Sequence, residues 1–190
     1  MNSIKRFFAN YYSEIAVFAV TALALCLGWL LMNNVETRSV PFEIAGVKMM
    51  LPDGWQTSQL EEGSTVQARE LGVPGFGTSY VVKVNPASPD VTPADVASLT
   101  SFDRARALTA YRVLDQAEAS VNGRDAYKVT YAFVESNPDV THAEPPVVVH
   151  AVDFYFVEDG KAVVATYQAS EENYSADFWR FRRFLESLDF

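Results

Sequence analysis

Ile15-Ala-Val-Phe-Ala-Val-Thr-Ala-Leu-Ala-Leu-Cys-Leu-Gly-Trp-Leu-Leu-Met32 is a run of eighteen residues without charge or proline, and Thr21 is its one clearly polar side chain. At about 1.5 Å per helical residue it reaches roughly 27 Å, close to the ~30 Å hydrocarbon core of a bilayer. A helix packed in a soluble core shows a polar stripe, whereas this stretch is apolar all round. It reads as a transmembrane helix over residues 15–32, with Ala16, Ala19, Ala22 and Gly28 as small residues for helix packing. Phe7, Phe8, Tyr11 and Tyr12 before it and Trp29 near its far end supply the aromatic rings that favour the headgroup layers.

Working outward, Lys5 and Arg6 precede the span, and only Arg38 and then Lys48 follow it. The bias places residues 1–14 in the cytoplasm and the rest of the chain on the other side of the cell membrane, in a single-pass topology. A cleavable signal peptide needs a small-x-small site at the end of a shorter apolar region, but the candidate Cys26-Leu27-Gly28 is followed by more apolar residues. Leu23-Ala-Leu-Cys26 resembles a lipoprotein box, yet Leu25 stands where such boxes carry a small residue. Cys26 then reads as a small apolar residue inside the helix.

Residues 33–41 form a short linker, and residues 42–190 form one domain large enough to bury a core without disulfides or metals. The domain has no cysteine, and it carries 12 basic against 22 acidic residues. Such a surface repels phosphate backbones and argues against nucleic-acid binding.

Within the domain, Phe42 to Trp55 reads as a hairpin broken at Gly46 and stopped by Pro52-Asp53-Gly54. Thr65–Leu71 and Thr78–Val84 form a second strand pair around Gly72-Val-Pro-Gly-Phe-Gly77. Thr92, Pro93 and Asp95 give an N-cap, a first-turn proline and a first-turn acid, so a helix is expected from Pro93 to about Thr109. Val96, Leu99, Ala105 and Leu108 are expected on its inner face. Tyr111–Ala119 and Ala126–Glu135 flank Asn122-Gly123, a type I′ hairpin signal. Ser136–Pro146 is a loop, Val147–Glu158 and Ala162–Ala169 pair through a tight turn, and a final helix, with Ser175 as its expected cap, presents Phe178, Phe181, Leu185 and Leu188 as one stripe. The fold class is therefore α+β, a twisted antiparallel sheet with helices packed on it.

Leu51-Pro-Asp-Gly-Trp55, the central helix, Val121-Asn-Gly-Arg-Asp-Ala-Tyr127 and Phe181-Arg-Arg-Phe-Leu-Glu-Ser-Leu-Asp-Phe190, in that order, resemble the PsbP-like superfamily. That group includes the extrinsic protein of the oxygen-evolving complex, a Ran-binding nuclear transport factor and bacterial DcrB-type envelope proteins. The resemblance covers about residues 42–190 and implies an α/β/α sandwich with a non-enzymatic accessory or binding role. It carries no catalytic residue over, and the uncleaved N-terminal span departs from the soluble plastid members.

The chain offers little for chemistry. A nucleophilic triad needs a histidine beside a serine or cysteine, and only His142 and His150 exist. His150 is in phase with Val148, Val152, Phe154 and Phe156 and is expected to face packed side chains. His142, Glu144 and His150 have no rigid metal-ligand spacing. The glycine-rich loop lacks the Lys and Ser/Thr of a phosphate cradle. No catalytic, cofactor or metal site is assigned. Pro74 and Phe76 at that loop's tip, with Arg180 and Arg183 on the last helix, are the candidate partner contacts. The expected role is a non-enzymatic accessory subunit of a bacterial membrane complex, with the bilayer and other subunits as partners. The alternative is a free-standing envelope protein that binds a lipid, glycan or other small ligand.

Overall fold

The computed structural model describes residues 14, 16–29, 38–60, 64–72, 76–136 and 145–190. The chain divides into two compact units, Met1–Arg38 and Ser39–Phe190.

In the first unit residues 16–29 form a helix, α1. Its side chains are exposed throughout except at the half-buried Ala22. Phe18 is 78% and Leu25 70% exposed. The Thr21 hydroxyl donates to the Val17 carbonyl at 2.9 Å, so the helix satisfies its own polar side chain. Among the described residues no helix is long and apolar enough to cross a membrane. Ile15 and residues 30–32 of the expected span lie outside the described residues.

The second unit begins with β1 (Ser39–Ile44) and β2 (Val47–Pro52), an antiparallel hairpin that forms its own two-stranded sheet. The main sheet contains β3 (Gln56–Leu60), β4 (Thr65–Arg69), β5 (Ser79–Pro86), β6 (Thr109–Val121), β7 (Arg124–Glu135), β8 (Val147–Glu158) and β9 (Lys161–Ser170). Their spatial order is β3-β4-β5-β9-β8-β7-β6, with every neighbouring pair antiparallel. Two meanders, β3–β5 and β6–β9, are thus joined where β9 pairs with β5, from Ser79↔Gln168 to Pro86↔Lys161. Ala45-Gly46, Asn122-Gly123 and Asp159-Gly160 each take positive φ at both residues, the backbone that a two-residue hairpin needs to match strand twist.

α2 (Pro93–Ala107) links β5 to the far edge strand β6 across one face of the sheet, and α3 (Glu171–Glu186) follows β9 onto the other. The two faces have separate cores. On the α3 face Phe181, Phe184, Leu185 and Leu188 meet Tyr80, Val82, Val152, Phe154, Phe156 and Tyr167, with Val47, Met49 and Leu51 of β2 completing the layer. On the α2 face Ala97 packs on Val129, Tyr131, Phe133, Val149, Ala151 and Tyr155. The α/β/α layering expected for residues 42–190 is therefore present. β8 is covered on both faces, and its middle six residues, 151–156, are all buried.

Three expectations need correction. β3 was not anticipated: its residues are all exposed, so no apolar alternation marks it. α3 starts at Glu171 with Ser170 at its N-cap rather than Ser175, placing Glu171 and Glu172 at the positive end of the helix dipole. Leu99 and Ala105 lie on the outside of α2, not its inner face.

Candidate functional site

The α2 helix is held to the sheet by a buried charge as well as by the apolar contacts of Val96, Ala97 and Leu108. Its start is a full capping box: Asp95 N–H donates to Thr92 Oγ1 at 3.2 Å and Thr92 N–H to Asp95 Oδ2 at 2.9 Å. Hydrogen bonds from Thr92 also hold the Asp95 carboxyl below its ordinary pKa. From there Val96, Ala97, Thr100, Arg104 and Leu108 fall on one side of the helix, toward β7 and β8. Arg104 Nη2 donates to Asp153 Oδ1 at 2.9 Å and to Thr166 Oγ1 at 3.1 Å. Its guanidinium lies 4.8 Å from the Tyr131 ring centroid. Asp153 is fully buried in the middle of β8 and also accepts from the Tyr155 hydroxyl at 2.7 Å and from Tyr131 at 3.3 Å. Burial and then the Asp153 charge push both tyrosine hydroxyls above their ordinary pKa. Burial opposes the Arg104 charge, but Asp153 together with Tyr131, Tyr155 and Tyr111 outweighs it and holds the guanidinium more firmly protonated.

With the ion pair inside, the large apolar residues of α2 turn outward. Leu99 is 70% and Phe102 62% exposed, with the Arg106 guanidinium 5.2 Å from the Phe102 ring centroid. Asp95, Leu99, Phe102 and Arg106 follow one another at four, three and four residues, so they form a continuous stripe on the outer face.

The opposite face carries a groove of about 400 Å³ between α3 and the β6–β7 ribbon. Phe154, Phe178 and Leu185 give it an apolar floor and wall, and Lys128, Arg182 and Glu186 give it charge. Lys128 Nζ meets Asp115 Oδ2 at 2.9 Å, which holds the Asp115 carboxyl below its ordinary pKa. Elsewhere on α3 Tyr174 makes a hydrogen bond with the Thr130 side chain of β7, and burial raises its hydroxyl pKa. Between the lining residues Asn122 and Glu186, Asn122 Nδ2 donates to the Glu186 carbonyl at 2.7 Å, and Arg124 Nη2 donates to the Leu188 carbonyl at 2.9 Å. Hydrogen bonds therefore tie α3 and its C-terminal end to the β6–β7 ribbon.

The four candidate contact residues do not form one patch. Phe76 is half-buried on the α2 face against Phe133, ring centroids 6.5 Å apart, with the Arg69 guanidinium 5.3 Å from its own centroid. Arg180, on the α3 face, lies 3.7 Å from Asp177 and 5.6 Å from the Trp179 ring centroid. Arg183 is exposed, and Pro74 lies outside the described residues. Ala16, Ala19, Gly28 and Trp29 are exposed on α1. A Cβ at Gly28 would meet nothing within 4 Å. His150 is half-buried, its ring edge-on to Tyr174 at 5.5 Å. His142 and Glu144 lie outside the described residues. Among the described residues no group of three His, Cys, Asp or Glu side chains could hold a metal ion.

Sequence reasoning missed the Arg104–Asp153 pair, although one signal was present. Asp153 is the only Asp, Glu, Lys or Arg between Val147 and Val157, at the centre of an otherwise apolar strand. A charge there needs a partner.

No protein-family model matches the chain, and no curated protein matches it. Solved structures do. The solution structure of cyanobacterial PsbP (CyanoP) from Synechocystis is similar with a TM-score of 0.58 and 16% identity, over 80% of this chain and 91% of that one. A Pseudomonas aeruginosa protein of unknown function, described as a putative regulator, gives 0.50 and 12% over 80% and 96%. A mutant of the protein Mog1 gives 0.50 and 10% over the same shares. At these identities the likeness is one of architecture: residues 39–190 have a PsbP/Mog1-like fold.

Proposed function

We propose that this chain is a non-enzymatic, membrane-anchored accessory subunit of a larger bacterial membrane complex, docking through the outer face of α2. The observation that carries the reading is the Leu99–Phe102 stripe. Two large apolar side chains stand in solvent on a helix that a buried ion pair fixes in one orientation. Contiguous exposed apolar surface beside charged residues is the usual mark of a protein contact, and aromatic anchors dominate such contacts. The anchor rests on the eighteen apolar residues of 15–32 and on α1, whose exposed side chains and self-satisfied Thr21 hydroxyl suit lipid on every side. Charge bias puts the acidic domain on the extracytoplasmic side.

The test is a pull-down from the native source in mild detergent, with bound proteins identified by mass spectrometry, for the wild type and for Leu99→Glu combined with Phe102→Glu. Both side chains are exposed, so the double variant keeps its fold, as an unchanged melting curve would verify. We expect stoichiometric partners with the wild type and at least a ~10-fold drop with the variant, given about 1.5–3 kcal/mol per buried large apolar side chain. A wild type that runs alone sinks the accessory role. A variant that recovers partners equally well sinks the α2 surface.

A further inference from the structure

The groove between α3 and the β6–β7 ribbon has no part in the docking role. We infer that it is a binding site for a single-chain anionic amphiphile, an alkyl carboxylate, with the chain along Phe154, Phe178 and Leu185 and the head between Lys128 and Arg182. Its volume, about 400 Å³, falls in the range of small-ligand sites. Its chemistry is divided as an amphiphile requires: the apolar lining comes from the deep residues of β8 and α3, and the charge lies toward the rim. Phe154 is only 7% exposed, whereas Arg182 is exposed.

Charge selects the head. The domain has nearly twice as many acids as bases, yet this groove carries two cations against one carboxylate, Glu186. Lys128 is held in place by Asp115, and among the described residues Arg182 has no ion-pair partner. A carboxylate entering the groove would supply one and would share Lys128 with Asp115. The Asn122–Glu186 hydrogen bond joins two lining residues across the cleft in advance, which lowers the ordering cost of binding.

The test places the full chain in phosphatidylcholine nanodiscs with a diazirine-bearing decanoate, irradiates it, and maps adducts by mass spectrometry. Adducts are expected on residues 120–128, 154 and 178–186, removed by excess decanoate but not by decanol or inorganic phosphate. Arg182→Gln and Ser120→Trp, both at exposed positions, should each cut labelling at least about 10-fold, the loss expected for a charge-assisted hydrogen bond or a blocked cleft. Four outcomes would each overturn the inference: adducts confined to α1, labelling unchanged in both variants, displacement by decanol as effective as by decanoate, or displacement by phosphate alone. None of them bears on the pull-down, so the two proposals fail separately.

Discussion

Replacing Arg104 with leucine would leave the Asp153 carboxylate uncompensated in the centre of β8. Asp153 has no solvent exposure and would keep only the hydroxyl donors of Tyr155 and Tyr131. Breaking one side of a buried pair costs about 3–5 kcal/mol. The Arg104 side chain is itself 18% exposed, which admits some water to the site and favours the lower end, near 3 kcal/mol. In a domain of this size each kcal/mol moves the melting temperature by about 2–4 °C, so the shift should be roughly 6–12 °C downward. Arg104→Leu with Asp153→Leu removes the stranded charge and should be less destabilised than Arg104→Leu alone, with a coupling of at least ~1.5 kcal/mol in the double-mutant cycle. Near-ultraviolet circular dichroism of the full chain in mild detergent is the right readout, because it follows the packed aromatic rings of the domain, Tyr131 and Tyr155 among them. A shift equivalent to less than ~1 kcal/mol for Arg104→Leu, or additive effects in the double variant, would refute the claim that this pair pins α2.

Two further outcomes follow from other parts of the domain. The Glu70 carboxyl is pushed up first by burial and then by Asp177, with Arg180 pulling it down. Its stabilising contribution is therefore complete below the unfolded glutamate value, about pH 4.3, and is lost as pH rises through the higher folded value, so Glu70→Gln should flatten that fall in a pH series of urea midpoints. At Gly77 an added Cβ would stand 2.6 Å from the Glu70 carbonyl oxygen, beside the Glu70–Thr78 backbone bond of 2.9 Å. Gly77→Ala should cost about 1–3 kcal/mol as the backbone parts, and an unchanged urea midpoint would contradict the close approach.

The strands that carry the fold were legible because their signals are local. Asn122-Gly123 and Asp159-Gly160 can hardly be anything but tight turns, and the run from Val147 to Val157, apolar except at His150 and Asp153, declares a long strand. The α3 stripe was legible for the same reason, since Phe181, Leu185 and Leu188 are buried as their spacing requires. α2 misled because periodicity counts Leu99 and Ala105 as inner residues, while the true inner face joins the expected Val96 and Leu108 to Ala97, Thr100 and Arg104. One ion pair with Asp153, 49 positions away, outweighed the propensity of its own segment. The groove could not be read at all: Lys128 belongs to no motif, nothing in the Phe181–Phe190 motif points Arg182 toward it, and only folding puts them on the same rim.

The β1–β2 hairpin has a consequence for the order in which the domain can be finished. Lys48 and Asp189 exchange backbone hydrogen bonds of 2.8 and 2.9 Å, Met50 N–H donates to Ser187 Oγ at 3.0 Å, and Val47, Met49 and Leu51 are buried in the same core as Phe181, Phe184 and Leu188. During synthesis this hairpin is made first and its cover about 140 residues later, an interval of roughly 7–28 s at 5–20 residues per second. For that time the apolar face of β2 lacks the α3 residues that complete its cover, so the core on this side of the sheet closes only with the last residues of the domain.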